Sequence, residues 1–169
     1  MATGLTALWC GGCGSKLPYV LRQNNVKTSV GVTGPLQIAL PNSDGQIEDL
    51  SRENGKPTVV FFAQELCLSC TEEINMIKAN LKNANSSPTG VNLYSILLGA
   101  SLESAKNWKK DNQISWTVLH DFNSVSIRQY CPKIVLPCVM IHKPNEGIVF
   151  LEQRKVSFDE LQTVTGSWE

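Results

Sequence analysis

The chain has 169 residues, 42% of them hydrophobic, and 15 basic against 15 acidic side chains leave no formal net charge. That length is about one domain with room for an extension, and the apolar share suits an ordinary globular core. No basic run marks a nucleic-acid partner, no stretch is long and apolar enough for a bilayer span, and Met1 to Trp9 lacks the basic start and apolar centre of a signal peptide.

Pro35 to Leu40 alternates, with Leu36, Ile38 and Leu40 on one face, which predicts a half-buried strand. Asn42-Ser43-Asp44-Gly45 is a turn signal, and Gln46 to Leu50 returns as a second short strand. Thr58 to Ala63 is β-branched and aromatic, as a central strand is. Thr71 to Asn83 reads as a helix with Ile74, Ile77 and Leu81 on one face. Val91 to Leu98 is the next strand, and Ser101 caps a helix aligning Leu102, Ala105 and Trp108. Trp116 to His120 is a short strand, and Asn123 caps a helix through Tyr130. Val139 to His142 and Ile148 to Leu151 form a hairpin over the turn Pro144-Asn145-Glu146-Gly147. Ser157 and Glu160 make a capping box that opens a last helix carrying Phe158, Leu161 and Val164. The order β-β-β-α-β-α-β-α-β-β-α predicts an α/β fold, a central mixed β-sheet flanked by helices with an N-terminal β-hairpin.

The six cysteines are Cys10, Cys13, Cys67, Cys70, Cys131 and Cys138. They are too few for a disulfide scaffold, and two Cys-x-x-Cys pairs point to chemistry or metal. Cys67-Leu68-Ser69-Cys70 stands between a strand and a helix. A helix start turns N–H groups and a positive dipole end toward the first sulfur. That favours the thiolate, the form that attacks disulfides. Cys131 and Cys138 stand alone, and lone cysteines are usually buried small hydrophobes. His120 and His142 fall in strands, where a lone histidine is usually a satisfied side chain.

From about residue 33 to the end the chain resembles the extracytoplasmic thioredoxin-like thiol–disulfide oxidoreductases of the TlpA/ResA group, within the thioredoxin and peroxiredoxin superfamily. The matching stretches are Pro41 to Gly45 with Leu50-Ser51, Gly55 to Ala63, the Cys67/Cys70 pair, and Val135-Leu136-Pro137-Cys138-Val139-Met140-Ile141. The resemblance implies a thioredoxin-like fold and disulfide exchange with protein substrates. Cys67 would attack and Cys70 would resolve the mixed disulfide. Pro137 would be cis, and the backbone beside it, at Leu136, would pair with the substrate. Glu73 falls where ResA-like members carry a half-buried glutamate that tunes the thiols; the competing reading is an exposed first-turn glutamate favoured by the helix dipole. Cys138 would lie beside the redox pair, either as an accessory thiol or as inert packing. The resemblance further implies protein thiols and disulfides as partners, a membrane electron donor such as a DsbD-like protein, an extracytoplasmic location, and no cofactor or metal.

The chain departs from the group in four places. Leu66 stands where tryptophan is usual, one residue is inserted between Phe62 and Cys67, Asn75 replaces the proline of the active-site helix, and Cys138 replaces the threonine after the cis-proline. Two alternatives remain open. One is a peroxiredoxin-like thiol peroxidase using Cys70, although Ala63 and Cys67 occupy the positions of its motif's proline and threonine. The other is a thioredoxin-like module with a structural disulfide or zinc.

The expected organisation is a thioredoxin-like domain over residues 33–169 and an N-terminal extension over residues 1–32. The extension carries Trp9-Cys10-Gly11-Gly12-Cys13-Gly14-Ser15-Lys16-Leu17-Pro18, which looks like a thioredoxin active-site helix start without its strand. It reads as a mobile redox arm, a truncated module, or half of a zinc site.

Overall fold

The computed structural model of the protein describes residues 34–52, 54–81, 88–166 and 168. The Cys10/Cys13 pair lies outside the described residues.

The most apolar segment forms the middle of the fold. β3 (Thr58–Ala63) is buried along its whole length, as a strand with neighbours on both sides and layers on both faces must be. β4 (Asn92–Leu98), β5 (Thr117–Asp121), β6 (Cys138–Lys143) and β7 (Gly147–Glu152) complete a sheet of order β5-β4-β3-β6-β7. β3, β4 and β5 run parallel. β6 returns antiparallel beside β3, and β7 antiparallel beside β6. Parallel neighbours need long crossovers, supplied here by α1 (Leu68–Asn80) and α2 (Leu102–Asp111). α3 (Val125–Tyr130) leads from β5 toward β6, and α4 (Phe158–Thr165) follows β7.

Alternation along the strands splits the core into two layers. Val59, Phe61, Val118, Val139 and Ile141 pack with α1, α2 and α4. Val60, Phe62, Leu119 and Met140 pack with Ile127 and Tyr130 of α3 and with Leu36, Ile38 and Leu50. Helices thus cover both faces of a mixed sheet, a thioredoxin-like fold. One buried polar pair crosses the first layer, the Trp116 indole N–H donating to Ser95 Oγ at 2.9 Å.

The hairpin precedes the sheet as expected. β1 (Ala39–Pro41) pairs with β2 (Ile47–Asp49). Its strands are shorter than the alternation predicts: Leu36 and Ile38 are buried, but the ladder begins only at Ala39. The turn is built by Asn42, whose Oδ1 accepts from Asp44 N–H at 2.9 Å and Gln46 N–H at 3.0 Å. The Ser43 N–H donates to the Val118 carbonyl at 2.9 Å, docking the hairpin against β5.

Helix starts follow local chemistry. Ser157 and Glu160 form the predicted capping box of α4, and Ser101 caps α2 through the Ser104 N–H. α3 differs from expectation. Its N-cap position is Ser124 rather than Asn123, in the left-handed region at φ 51° and without a side-chain cap. The buried Asp121 substitutes, its Oδ2 accepting from the Ser126 N–H at 2.7 Å and hydroxyl at 2.6 Å. α1 begins at Leu68 and ends at Asn80, three residues earlier at each end than the periodicity predicts.

Candidate active site

The earlier start of α1 makes Cys67 its N-cap. β3 ends at Ala63, and Gln64 to Leu66 carry the chain over the carboxyl edge of the sheet. The Cys70 N–H, orphaned by the helix start, donates to Cys67 Sγ at 3.2 Å. A sulfur normally has no place as a cap; here it stands where a serine or aspartate oxygen would. The helix N-terminus therefore faces this sulfur with a donor and a positive dipole, both favouring the thiolate when the pair is reduced.

Cys67 and Cys70 are joined as a disulfide with Cα atoms 5.2 Å apart. The two sulfurs are unequal in access. Cys67 is half-buried, whereas Cys70 is 2% exposed and packs in the first core layer. An incoming group can reach the first and not the second. Beside Cys67 lies a depression of roughly 300 Å³ lined by Gln64, Glu65, Leu66, Cys67, Leu98 and Gly99. Leu66 and Leu68 flank the sulfur and project into solvent at 99% and 75% exposure. Apolar side chains so exposed mark contact surfaces when they gather.

More of them gather on the same edge. β6 runs opposite to β3 with Cys138 across from Phe62, so the loop before β6 lies beyond the end of β3. In that loop the Leu136–Pro137 peptide is cis. Leu136 is half-buried, Pro137 buried, and Ile134 and Val135 are exposed. Phe122, exposed after β5, follows Asp121, which pairs with Leu98 at the end of β4.

Glu73 lies one turn beyond Cys70 on the buried stripe of α1, which reads Cys70, Glu73, Ile74 and Ile77. It is 1% exposed, which rules out the solvent-facing first-turn glutamate. Its Oε1 accepts from the Val156 N–H at 3.0 Å, and Oε2 is buried without a hydrogen-bond partner. Loss of solvation pushes its carboxyl up to about 7, against the opposing pull of the Val156 hydrogen bond and the Lys155 and Arg154 charges. Those cations are themselves engaged, Lys155 with Glu72 and Arg154 with Glu160, each at 2.6 Å. The signal for a buried Glu73 was present in the helical spacing, since it precedes Ile74 and follows Cys70 by three residues.

Cys131 and Cys138 correct the sequence reading, which treated them as separate thiols. They form a second disulfide, with Cα atoms 6.6 Å apart and both residues fully buried. Cysteines seven residues apart across an unpredicted reversal cannot be paired from spacing alone. The reversal depends on Ile134, at φ 50°. A β-branched residue in the left-handed region is an outlier, at a cost on the order of 1–3 kcal/mol. Of the two histidines, His142 Nε2 bonds the Gly34 carbonyl at 2.8 Å, while His120 Nδ1 is buried without a hydrogen-bond partner.

Residues 30–150 match the model of the AhpC/TSA family. The chain belongs to that family. No curated protein matches it. Among solved structures it is similar to a secreted Mycobacterium tuberculosis disulfide oxidoreductase homologous to E. coli DsbE, at 20% identity over 75% of this chain and 92% of that one, with a TM-score of 0.59. A secreted thiol-disulfide isomerase from Corynebacterium glutamicum aligns at 16% identity over 78% and 82%, with a TM-score of 0.64. StoA from Bacillus subtilis aligns at 15% identity over 75% and 93%, with a TM-score of 0.60. At these identities the likeness is one of fold, and it places this AhpC/TSA member among thioredoxin-like structures.

Proposed function

We propose that this AhpC/TSA-family chain is a thiol–disulfide oxidoreductase acting on protein substrates through Cys67 and Cys70. The observation that carries the reading is the Cys67–Cys70 disulfide at the mouth of α1, with one sulfur approachable and the other enclosed. In the reduced protein the Cys67 thiolate attacks one sulfur of a substrate disulfide. That S–S bond breaks, the departing substrate sulfur takes a proton, and a Cys67–substrate disulfide forms. Cys70 then loses its proton and attacks Cys67 Sγ. The second substrate thiol leaves, and the Cys67–Cys70 bond is restored with two electrons passed to the substrate. The reverse sequence oxidises a dithiol.

Glu73 is assigned the proton held near Cys70. A carboxyl poised near neutrality is suited to general acid–base work, and the unpartnered Oε2 supports the role. The Leu136–Pro137 backbone is assigned to pairing with the substrate chain. The exposed Leu66, Leu68, Phe122, Ile134 and Val135, all in segments at this edge of the sheet, support a polypeptide as the substrate rather than a small disulfide. An extracytoplasmic setting is supported by two secreted structural neighbours and by the buried Cys131–Cys138 disulfide, since such bonds persist in oxidising compartments. An electron donor of the DsbD type fits that setting. The family match opening at residue 30 supports a domain over residues 33–169 preceded by an extension, in which Cys10 and Cys13 serve as an accessory exchange pair.

The second reading left open by the sequence is a thiol peroxidase using Cys70. Its burial at 2% and its bond to Cys67 count against it. Insulin reduction and peroxide consumption by wild type, Cys67→Ser and Cys70→Ser separate the two. We expect insulin reduction that vanishes in Cys67→Ser and a trapped substrate disulfide in Cys70→Ser. Insulin reduction surviving Cys67→Ser sinks the exchange mechanism, and peroxide turnover needing Cys70 alone establishes the peroxidase.

A further inference from the structure

The loop from Cys131 to Cys138 is held from inside. Cys131 is the C-cap of α3, its N–H bonded to the Ile127 carbonyl at 2.7 Å. Cys138 is the first residue of β6 and pairs with Phe62 of the central strand. Their disulfide ties the end of a helix to the start of a strand and lies in the second core layer, away from Cys70 in the first. Between the two sulfurs the chain turns outward and exposes Ile134 and Val135 before Leu136 and Pro137 return it to the sheet. The turn's inner end is seated by Leu136, which packs against both core layers, and by the buried Pro137, whereas residues 132–135 are exposed. The Ile134 N–H donates to the Cys131 carbonyl at 3.0 Å, and the Lys133 N–H to Gln153 Oε1 at 3.0 Å. Ile134 adopts a backbone conformation its side chain disfavours, so an unclamped loop would relax to other shapes.

We propose that the Cys131–Cys138 disulfide is a positioning element for the exchange reaction: a non-exchanging clamp that fixes residues 132–137 in the shape that receives a substrate polypeptide. The inference rests on the oxidoreductase reading and adds to it a second cystine with a geometric role. The clamp does not exchange, because a thiolate must approach a disulfide along its S–S axis and both cysteines are 0% exposed.

The test compares wild type with Cys131→Ala/Cys138→Ala on two substrates, insulin and glutathione disulfide. A loosened receiving loop weakens the pairing of a long chain and leaves a small disulfide unaffected. We expect the insulin KM to rise roughly 10-fold, with kcat, the glutathione disulfide rate and the Cys67/Cys70 equilibrium against glutathione unchanged. An unchanged insulin KM, or an equal loss on both substrates, overturns the positioning role while leaving the oxidoreductase reading intact. A wild type that exchanges with neither substrate overturns both.

Should the double variant fail to fold, native wild type supplies the decision. Dithiothreitol on the native protein, then an acid quench, unfolding, iodoacetamide and peptide mapping, is expected to label Cys67 and Cys70 while Cys131–Cys138 stays closed. Labelling of both pairs at the same reductant concentration, or a substrate disulfide on Cys138, overturns the clamp.

Discussion

The Cys67–Cys70 and Cys131–Cys138 disulfides lie at the same edge of one sheet, on opposite faces of it, and their surroundings differ. The first is set at the N-terminus of a long helix, with a backbone N–H on Sγ and a half-open approach. The second joins the C-terminal end of α3 to a strand, with both cysteines sealed. A helix N-terminus favours a negative sulfur, whereas a helix C-terminus disfavours it. The pair that lies open thus has its thiolate stabilised, and the buried pair is deprived of both access and charge stabilisation. Reactivity in a cystine is set by such surroundings more than by the bond itself.

The largest break in this comparison is the removal of one open sulfur. Cys67→Ser keeps the N-cap, since serine caps well, and removes the nucleophile. Insulin reduction should fall to the uncatalysed rate with the urea midpoint close to that of reduced wild type. Activity retained in that variant would mean that the exposed sulfur is not the attacking one.

Removing the sealed pair acts on stability as well as on the insulin KM. Cys131→Ala/Cys138→Ala frees a short loop and leaves a void, with an expected loss of about 2–5 kcal/mol in urea unfolding. A loss under about 0.5 kcal/mol would show that the loop's shape is held by other contacts.

Much of this molecule was legible beforehand. β3 stood out because a fully buried strand is written in β-branched and aromatic residues, and its predicted span, Thr58 to Ala63, is the observed one. The capping box of α4 and the hairpin turn were legible because they depend on neighbours in sequence. What was hidden depends on partners distant in sequence or on backbone shape. Asp121 replaces a cap that the sequence offered to Asn123, Ile134 turns the chain without glycine, and the Cys131–Cys138 pairing follows from that turn. Glu73 lay between these cases: its spacing put it on the apolar stripe, but only the orphaned Oε2 shows how costly its charge is there.

That cost gives the next test. A carboxyl held above its ordinary value binds its proton more tightly in the folded chain than in the unfolded one. Its contribution to stability is therefore present below pH 4.5 and is lost as the pH rises through about 7. The full loss is on the order of 3 kcal/mol. Glu73→Gln removes the titration, so its urea stability should be flat where that of wild type declines from pH 5 to 8. If the exchange reaction draws on this proton, the pH–rate profile of Glu73→Gln should also lose an inflection near neutrality. Parallel stability curves for the two proteins would mean that water or a shift of the Arg154–Lys155 segment solvates the carboxylate.

The smallest expected effect bears on the loop between the sealed sulfurs. Ile134 is 55% exposed, so its side chain contributes little burial, and its φ of 50° is disfavoured for a β-branched residue. Ile134→Gly removes that penalty but gives the unfolded chain more freedom, and the two effects are each about 1 kcal/mol with opposite sign. In the clamped protein the substitution should leave the urea midpoint within about 0.5 kcal/mol of wild type. In Cys131→Ala/Cys138→Ala the same change should stabilise less or cost more, because without the clamp Ile134 can relieve its backbone by leaving the left-handed region. Non-additivity of the Ile134 and disulfide changes, measured as a double-mutant cycle, would show that the bond holds the backbone in place. Strict additivity would locate the cause of the turn in the strand and helix ends alone.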